Sequence, residues 1–342
     1  MKLAVVLLNL GGPDSLEAVK PFLRNLFADP AIIGLPTILR YPLARFIAAR
    51  RAAVARGMYA RIGGGSPLLA ETRAQASALE ALLAQQGMTA RCFIAMRHWH
   101  PFTAEAAAKV AAWAPDRVVL LPLYPQYSTT TTASAFDEWR RAAKTIGLAA
   151  PHARVCCYPW EEGFIAAEAE LLRGALQRRK PGLSYRVLFS AHGLPKRIVD
   201  KGDPYQWQVE KTVAAILGKT PEQLDWQICY QSRVGPLEWI GPSTDEEIRR
   251  AGKDGKGVIV VPIAFVSEHS ETLVELDLDY GEKLVREANV PDYIRVSTVR
   301  THARFIEGLA RLVTKASKAS VSVTCSETRV CPTAMHCGFV SA

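Results

Sequence analysis

Three times in its first 130 residues the chain passes from an apolar, β-rich run into a short loop of polar and ring-bearing residues, and then into a helical pattern. Residues 3–10 lead into Gly11, Gly12, Pro13 and Asp14, after which Leu16, Val19, Phe22, Leu23 and Leu26 recur at helical spacing. Residues 90–96 end in Arg97, His98, Trp99, His100 and Pro101. Residues 118–123 end in Tyr124, Pro125, Gln126, Tyr127 and Ser128, followed by the run Thr129 to Thr132. Helices are expected at 69–86, 103–113 and 134–145. Strands alternating with helices pair in parallel through right-handed crossovers, so the expected class is α/β. After Pro151 the pattern restarts, with strands at 186–189, 226–229 and 258–265 and a helix near 206–217. Segments 118–128 and 258–269 resemble each other, each an apolar strand with an internal proline and a polar end. Their likeness suggests two similar halves facing a shared cleft.

At 342 residues the chain exceeds what one hydrophobic core normally serves, which also favours two packed domains. The net charge of +9 is spread along the chain without a nucleic-acid motif, so no nucleic-acid partner is expected; an anionic small molecule or an anionic membrane surface suits it. No run reaches the roughly 18 apolar residues of a membrane span. Residues 3–10 lack a small-residue cleavage site and read as a first strand, which points to the cytoplasm. Seven scattered cysteines fit a reducing compartment. No strand is followed by a dinucleotide or phosphate-loop fingerprint.

Chemistry is concentrated after the restart. In residues 186–205 a buried strand ends in Ser190, Ala191, His192, Gly193 and Pro195, and the carboxyl ends of strands in an open α/β sheet are where ligands bind. His192 is therefore a candidate for chemistry, a plain hydrogen-bonding histidine being the other reading. In residues 266–280, Glu271, Glu275 and Asp279 stand four apart, on one face of any helix there, and Glu268 lies three before Glu271. Like charges at that spacing repel, so the ladder is either a solvated face or the place of a cation or moving proton. His269 and Glu271 follow a strand end, as His192 does, and such pairs suit metal binding and proton transfer.

Two further stretches stand out. Residues 35–61 mix Leu, Ile, Phe and Tyr with repeated arginines, and no acidic residue occurs from 30 to 70. That reads as a helix on a membrane interface, against the alternative of a core helix with a basic side. The tail carries Cys325, Cys331 and Cys337, six apart, a spacing suited to a metal or iron–sulfur cluster, with Cys156 or Cys157 as further ligand. Cys92 and Cys229 lie in expected strands and read as buried hydrophobes.

The stretches LNLGGPDSLEAVKPFLRNLFAD, YARIGGGSPL, YPQYSTTTT, SAHGLPKRIVDKGDPY, CYQSRVGPLEWIGPST and VPIAFVSEHSETLVELDLDY resemble the ferrochelatases, from about residue 3 to 315. The resemblance implies two Rossmann-like domains, each with a parallel four-stranded sheet flanked by helices, at 1–150 and 151–318, with a cysteine-bearing extension at 319–342. It implies insertion of ferrous iron into protoporphyrin IX, His192 and Glu271 being the catalytic pair. Glu275 and Asp279 would continue a path for iron or protons, and Leu10, Arg61, Arg97, Tyr124 and Ser128 would line the porphyrin pocket. Residues 35–61 match the membrane-contacting lip, so the protein would sit on the inner face of the membrane, and a homodimer is compatible with the resemblance. The tail resembles that of members with a [2Fe–2S] cluster on Cys325, Cys331 and Cys337. In animal members the fourth cysteine directly follows YPQYS; here Thr129 does, which transfers that role to Cys157 or, alternatively, Cys156. The family often has Tyr where His98 stands, and Met or Leu at Leu10. Coproporphyrin as iron acceptor, cobalt or nickel insertion, and a non-catalytic haem carrier or iron–sulfur sensor are the competing readings.

Overall fold

The computed structural model describes residues 1–342 except 234, 236, 327 and 340–342. The chain forms two compact units. One comprises Met1–Tyr158, Leu309–Val330 and the described residues from Cys337; the other comprises Pro159–Gly308 and Cys331–His336.

The first unit is built on a parallel sheet of β1 (Lys2–Asn9), β2 (Thr89–Met96), β3 (Arg117–Pro122), β4 (His152–Cys157) and β9 (Ser322–Thr324), in the order β2-β1-β3-β4-β9. β1 is buried from Leu3 to Asn9, because a central parallel strand is covered on both faces and needs a near-continuous apolar run. Helices α4 (Thr103–Trp113) and α5 (Ser134–Thr145) close one face, packing Ala106, Val110, Phe136 and Trp139 against Val6, Leu8, Val118 and Leu120. Each large side chain so buried contributes roughly 1.5–3 kcal/mol. α1 (Val19–Phe27) and α2 (Thr37–Ala60) share a smaller cluster of Val19, Phe22, Leu23, Ala48 and Tyr59.

The second unit carries β5 (Tyr185–His192), β6 (Asp225–Gln231), β7 (Gly257–Pro262) and β8 (Tyr293–Arg295), parallel and in the order β6-β5-β7-β8. Leu188, Val258 and Val260 meet Ile248 and Ala251 of α9 (Thr244–Lys253), a helix whose start is fixed by a reciprocal Ser243–Glu246 capping box.

Three features depart from the sequence expectation. The first sheet has five strands, because the tail is not a separate extension: β9 pairs with β4, and Arg154 reaches Ser322 Oγ at 3.0 Å. The first unit accordingly runs past residue 150 to include β4, while α11 (Ala303–Lys318) begins in the second unit and ends in the first. The strand expected over 258–265 stops at Pro262, which has no N–H to continue a ladder. The helix expected beyond it is a π-helix of fourteen residues, Glu271–Leu284.

Candidate active site

In the second unit, His192 closes β5, and its register partner Gln231 closes β6. The loop after β7 brings the first residue of the π-helix back to them. His192 Nδ1 and Glu271 Oε2 lie 2.8 Å apart, with side chains 42 % and 30 % exposed, so the pair is ordered yet reachable. The Glu271 amide donates to His269 Nδ1 at 3.0 Å, which requires that nitrogen to be unprotonated. Burial holds His269 below its ordinary range, in agreement with that contact. Burial also works against a charged His192, but the Glu271 carboxylate, with Glu275 behind it, lifts His192 above the usual imidazole range. Burial pushes Glu271 upward in turn, and the His192 charge and hydrogen bond, with His269, more than reverse this and hold it well below the usual carboxylate range. His192 is thus a strengthened base beside a carboxylate that stays ionised.

A neutral frame fixes this pair. Gln231 Nε2 donates to the Glu271 carbonyl at 2.9 Å and to Glu275 Oε2 at 3.1 Å, while Gln231 Oε1 accepts from Ser190 Oγ at 2.8 Å, so the amide has one orientation. Ser232 sits at φ +62°, a left-handed value unusual for a residue with a Cβ, and from there gives both its N–H and its hydroxyl to the Glu275 carboxylate. Tyr280 OH adds a third donor residue to Glu275 at 3.0 Å. Even so, burial, foremost, and the Glu271 charge raise Glu275 above its ordinary value. Two neighbouring acids are therefore pushed in opposite directions, the arrangement by which one site holds both a proton donor and an acceptor.

The four-apart spacing carries over to the π-helix for Glu271 and Glu275, which Gln231 joins. Glu268 does not extend the ladder. It turns away to Arg295 Nη1 at 2.8 Å and to the Thr298 N–H at 3.0 Å, and Arg295 also grips Asp277 through two nitrogens. That clamp from the end of β8 ties the loop before the π-helix to its second turn. Asp279 is half-buried on the same helix.

In the first unit, Leu10, Arg97 and Tyr124 follow the neighbouring strands β1, β2 and β3, the Arg97 N–H donating to the Asn9 carbonyl at 2.9 Å. Arg97 donates from Nε to Ser134 Oγ at 2.8 Å and pairs from Nη2 with Asp29 Oδ2 at 2.9 Å. Burial raises the Tyr124 phenol, with Arg97 and Asp29 acting on it in opposite senses. Ser128 is buried and caps a single π-turn, Thr129–Ala133, accepting from the Thr130 N–H at 3.1 Å. Arg61 stands exposed at the end of α2. Gln231, Ser232, Tyr280, Arg295, Asp29 and Ser134 escaped sequence reasoning. Gln231 and Ser232 lie in the CYQSRVGPLEW motif and Asp29 closes the LNLGGPD…LFAD motif, which was the signal available for them.

The cysteines assemble differently from the expected set. The Sγ atoms of Cys156, Cys157 and Cys337 lie within 4.8 Å of one another, with Cys156 and Cys337 3.6 Å apart. Consecutive strand residues ordinarily face opposite sides of a sheet. The β4–β9 register shifts between Val155 and Cys157, and that bulge turns both neighbouring thiols into one group. Cys325 and Cys331 are not members of it; Cys331 is buried and accepts from Gln208 Nε2 at 2.9 Å. Three convergent sulfurs are a donor set for a thiophilic centre. Cys229 is buried as expected and Cys92 half-buried, and burial raises both thiols.

α2 is turned inside out compared with a core helix. Its buried positions are Ala44, Ala48, Ala52 and Tyr59, while Ile38 (81 % exposed), Val54 (71 %) and Phe46 (59 %) face outward beside the arginines. Among the described residues no helix is long and apolar enough to cross a membrane.

Solved structures share the architecture. The sirohydrochlorin chelatase SirB from Bacillus subtilis subspecies spizizenii, in complex with cobalt, aligns with a TM-score of 0.56 at 11 % identity, covering 93 % of this chain and 96 % of that one. SirB from Bacillus subtilis with Fe3+ aligns at 0.51 and 14 % identity over 93 % and 96 %. Sequence comparison is much more specific. Proteins named ferrochelatase from Caulobacter vibrioides and Phenylobacterium zucineum are each 57 % identical, over 314 residues (91 % of this chain and 89 % of the relative) and 312 residues (91 % and 90 %) respectively. One from Hyphomonas neptunium is 49 % identical over 338 residues, covering 97 % and 92 %. The ferrochelatase family model matches residues 2–317, and with that match over nearly the whole length, the chain belongs to the ferrochelatase family.

Proposed function

We propose that this protein inserts ferrous iron into protoporphyrin IX, releasing the two pyrrole protons, as the family resemblance of its motifs implied. The observation that carries the reading is the His192–Glu271 pair, 2.8 Å apart at the carboxyl end of β5. Iron and the pyrrole protons compete for the same nitrogens, so metallation needs a base with access to the macrocycle. His192 accepts the pyrrole protons at Nε2, its Nδ1 being held by Glu271. The Glu271 carboxylate stabilises the imidazolium that forms, and Glu271, Glu275 and Asp279 pass protons on or guide iron inward. General-base removal is typically worth about 10²- to 10⁴-fold in rate. Arg97 and Arg61 meet the substrate's carboxylates, while Leu10, Tyr124 and Ser128 contact the ring and its edge. Distortion of the ring exposes the nitrogen lone pairs, at a cost of about 1–5 kcal/mol offset by apolar contacts elsewhere.

The outward apolar and arginine side chains of α2 support peripheral attachment to an anionic membrane, on its cytoplasmic side, from which an apolar porphyrin would be collected. The thiols of Cys156, Cys157 and Cys337 would hold a [2Fe–2S] cluster, with Cys325, of the same unit, as the remaining ligand. Bound there, such a cluster would supply a redox-sensitive cross-link between β4 and the tail.

An anaerobic assay tests this reading. Purified protein is mixed with Fe(II) and either protoporphyrin IX or coproporphyrin, and loss of free-porphyrin fluorescence is followed. Faster metallation of protoporphyrin is expected. A preference for coproporphyrin would change the substrate, and tight binding without metallation of either would identify a carrier. A visible spectrum recorded before mixing reports the iron–sulfur chromophore, which is expected to bleach in Cys337→Ser.

A further inference from the structure

Asp29 lies just beyond α1, is 2 % exposed, and has every contact of its carboxylate satisfied from one neighbourhood. Oδ1 accepts the Ala31 N–H at 2.9 Å, which anchors the carboxylate to the chain leading toward α2. Oδ2 accepts from Ser134 Oγ at 2.6 Å and from Arg97 Nη2 at 2.9 Å. The Ser134 hydroxyl, donating to Asp29, accepts in turn from Arg97 Nε at 2.8 Å. His98 Nε2 stands 3.7 Å from Oδ2, and Asn25 Nδ2 holds the His98 carbonyl at 3.1 Å. Burial, with Arg97 adding to it, drives His98 down to about 3, so it is neutral and Arg97 is the cation that balances Asp29.

Two of the three guanidinium nitrogens of Arg97 are thus committed, and Nη1 is left as the edge that can meet a ligand. An unrestrained arginine gives up about 2 kcal/mol of rotamer freedom when it is fixed. Here that cost has been met before any ligand arrives, which is preorganisation. Removing Asp29 would take away the counter-charge at Nη2 and leave the guanidinium held only through Ser134 at Nε, free to turn. Removing Arg97 would leave a buried carboxylate without a counter-charge.

We infer that Asp29, with Ser134 as intermediary, is the positioning residue that aims Arg97 Nη1 at a carboxylate of the substrate, and so sets selectivity for acidic porphyrins over neutral ones. The inference rests on the reading of Arg97 as a carboxylate contact.

The test compares protoporphyrin IX with its dimethyl ester in Asp29→Asn, Arg97→Gln, the double variant and wild type, measuring KM and kcat for each and the melting temperature of each protein. Asp29→Asn is expected to raise the diacid KM relative to the diester KM by about 5- to 30-fold with kcat changed less than about threefold, and the double variant to be no more impaired than Arg97→Gln. Ser134→Ala should shift the same ratio in the same direction by less. If Arg97→Gln discriminates diacid from diester while Asp29→Asn leaves the ratio at its wild-type value, Asp29 is not a positioning residue and the Arg97 reading stands. If Arg97→Gln does not discriminate, the carboxylate reading of Arg97 fails and this inference fails with it.

Discussion

The carboxyl ends of the two sheets use ionisable groups in opposite ways. At the end of the second sheet, charges answer one another: His192 is raised because Glu271 is ionised, Glu271 is depressed because His192 is beside it, and Glu275 is raised partly because Glu271 is charged. A proton added to or taken from one of these groups alters the others, as a site that moves protons requires. At the end of the first sheet charge is static. Arg97 is always protonated, its counter-ion Asp29 is buried against it, and the remaining contacts are hydroxyls and a neutral His98. Such a cluster holds a group in place and does no acid–base work. Similar strand–loop–helix units thus carry different charge arrangements in the residues that follow their strands, and the proposed function assigns them different tasks, in keeping with the general rule that function lies in the site and not in the fold.

The contrast can be broken most severely at Glu271. Glu271→Gln keeps the shape of the contact and removes the charge that strengthens His192, so kcat for metallation should fall about 10²-fold or more, read by stopped-flow fluorescence, with porphyrin binding retained. Arg97→Gln should do the reverse, lowering kcat/KM for the diacid porphyrin by about 10- to 150-fold, the value of one charge-assisted hydrogen bond, chiefly through KM. A gentler probe lies outside both sites. Glu168 on α6 (Glu162–Leu176) is fully buried, neither carboxylate oxygen has a hydrogen-bond partner among the described residues, and burial alone lifts it to about 8. In the unfolded chain it ionises near 4.5, so the native state holds the extra proton and stability falls as pH rises from about 4.5 through about 8. Glu168→Met should therefore stabilise the protein by about 1–3 kcal/mol at pH 8, by urea titration, and by less at pH 5, without altering kcat. A fall in kcat would bring Glu168 into the proton-handling half.

Most of the framework could be read from residue patterns, since β1, β3, β5 and β7 are buried along nearly their whole length around apolar runs, and β2, at the sheet edge, still carries the apolar stretch Phe93–Met96. β4, β8 and β9 could not. HARVCC carries a histidine and two cysteines, YIR and SVT are three residues each, and segments so short acquire strand geometry only from the partner they pair with. The π-helix was also hidden, because residues four apart lie close together on either kind of helix and spacing alone does not separate i→i+4 from i→i+5 bonding. His192 and Glu271 were legible as ionisable residues after strands. Gln231 and Ser232, which aim the acids, were not, being neutral residues whose role appears only once β6 lies beside β5. Glu268 misled for the complementary reason: its partner Arg295 is 27 positions away, on another strand. The cysteine group turned on a single bulge, through which Cys156 and Cys157 join Cys337 together.

The central claim is that proton removal belongs to His192 and substrate holding does not. The most direct test is to measure, on the same preparation of His192→Ala, the protoporphyrin Kd by fluorescence quenching and the anaerobic rate of Fe(II) insertion. The account predicts a Kd within about threefold of wild type and an insertion rate reduced about 10²- to 10⁴-fold. Insertion at the wild-type rate by a variant that still binds porphyrin would contradict it.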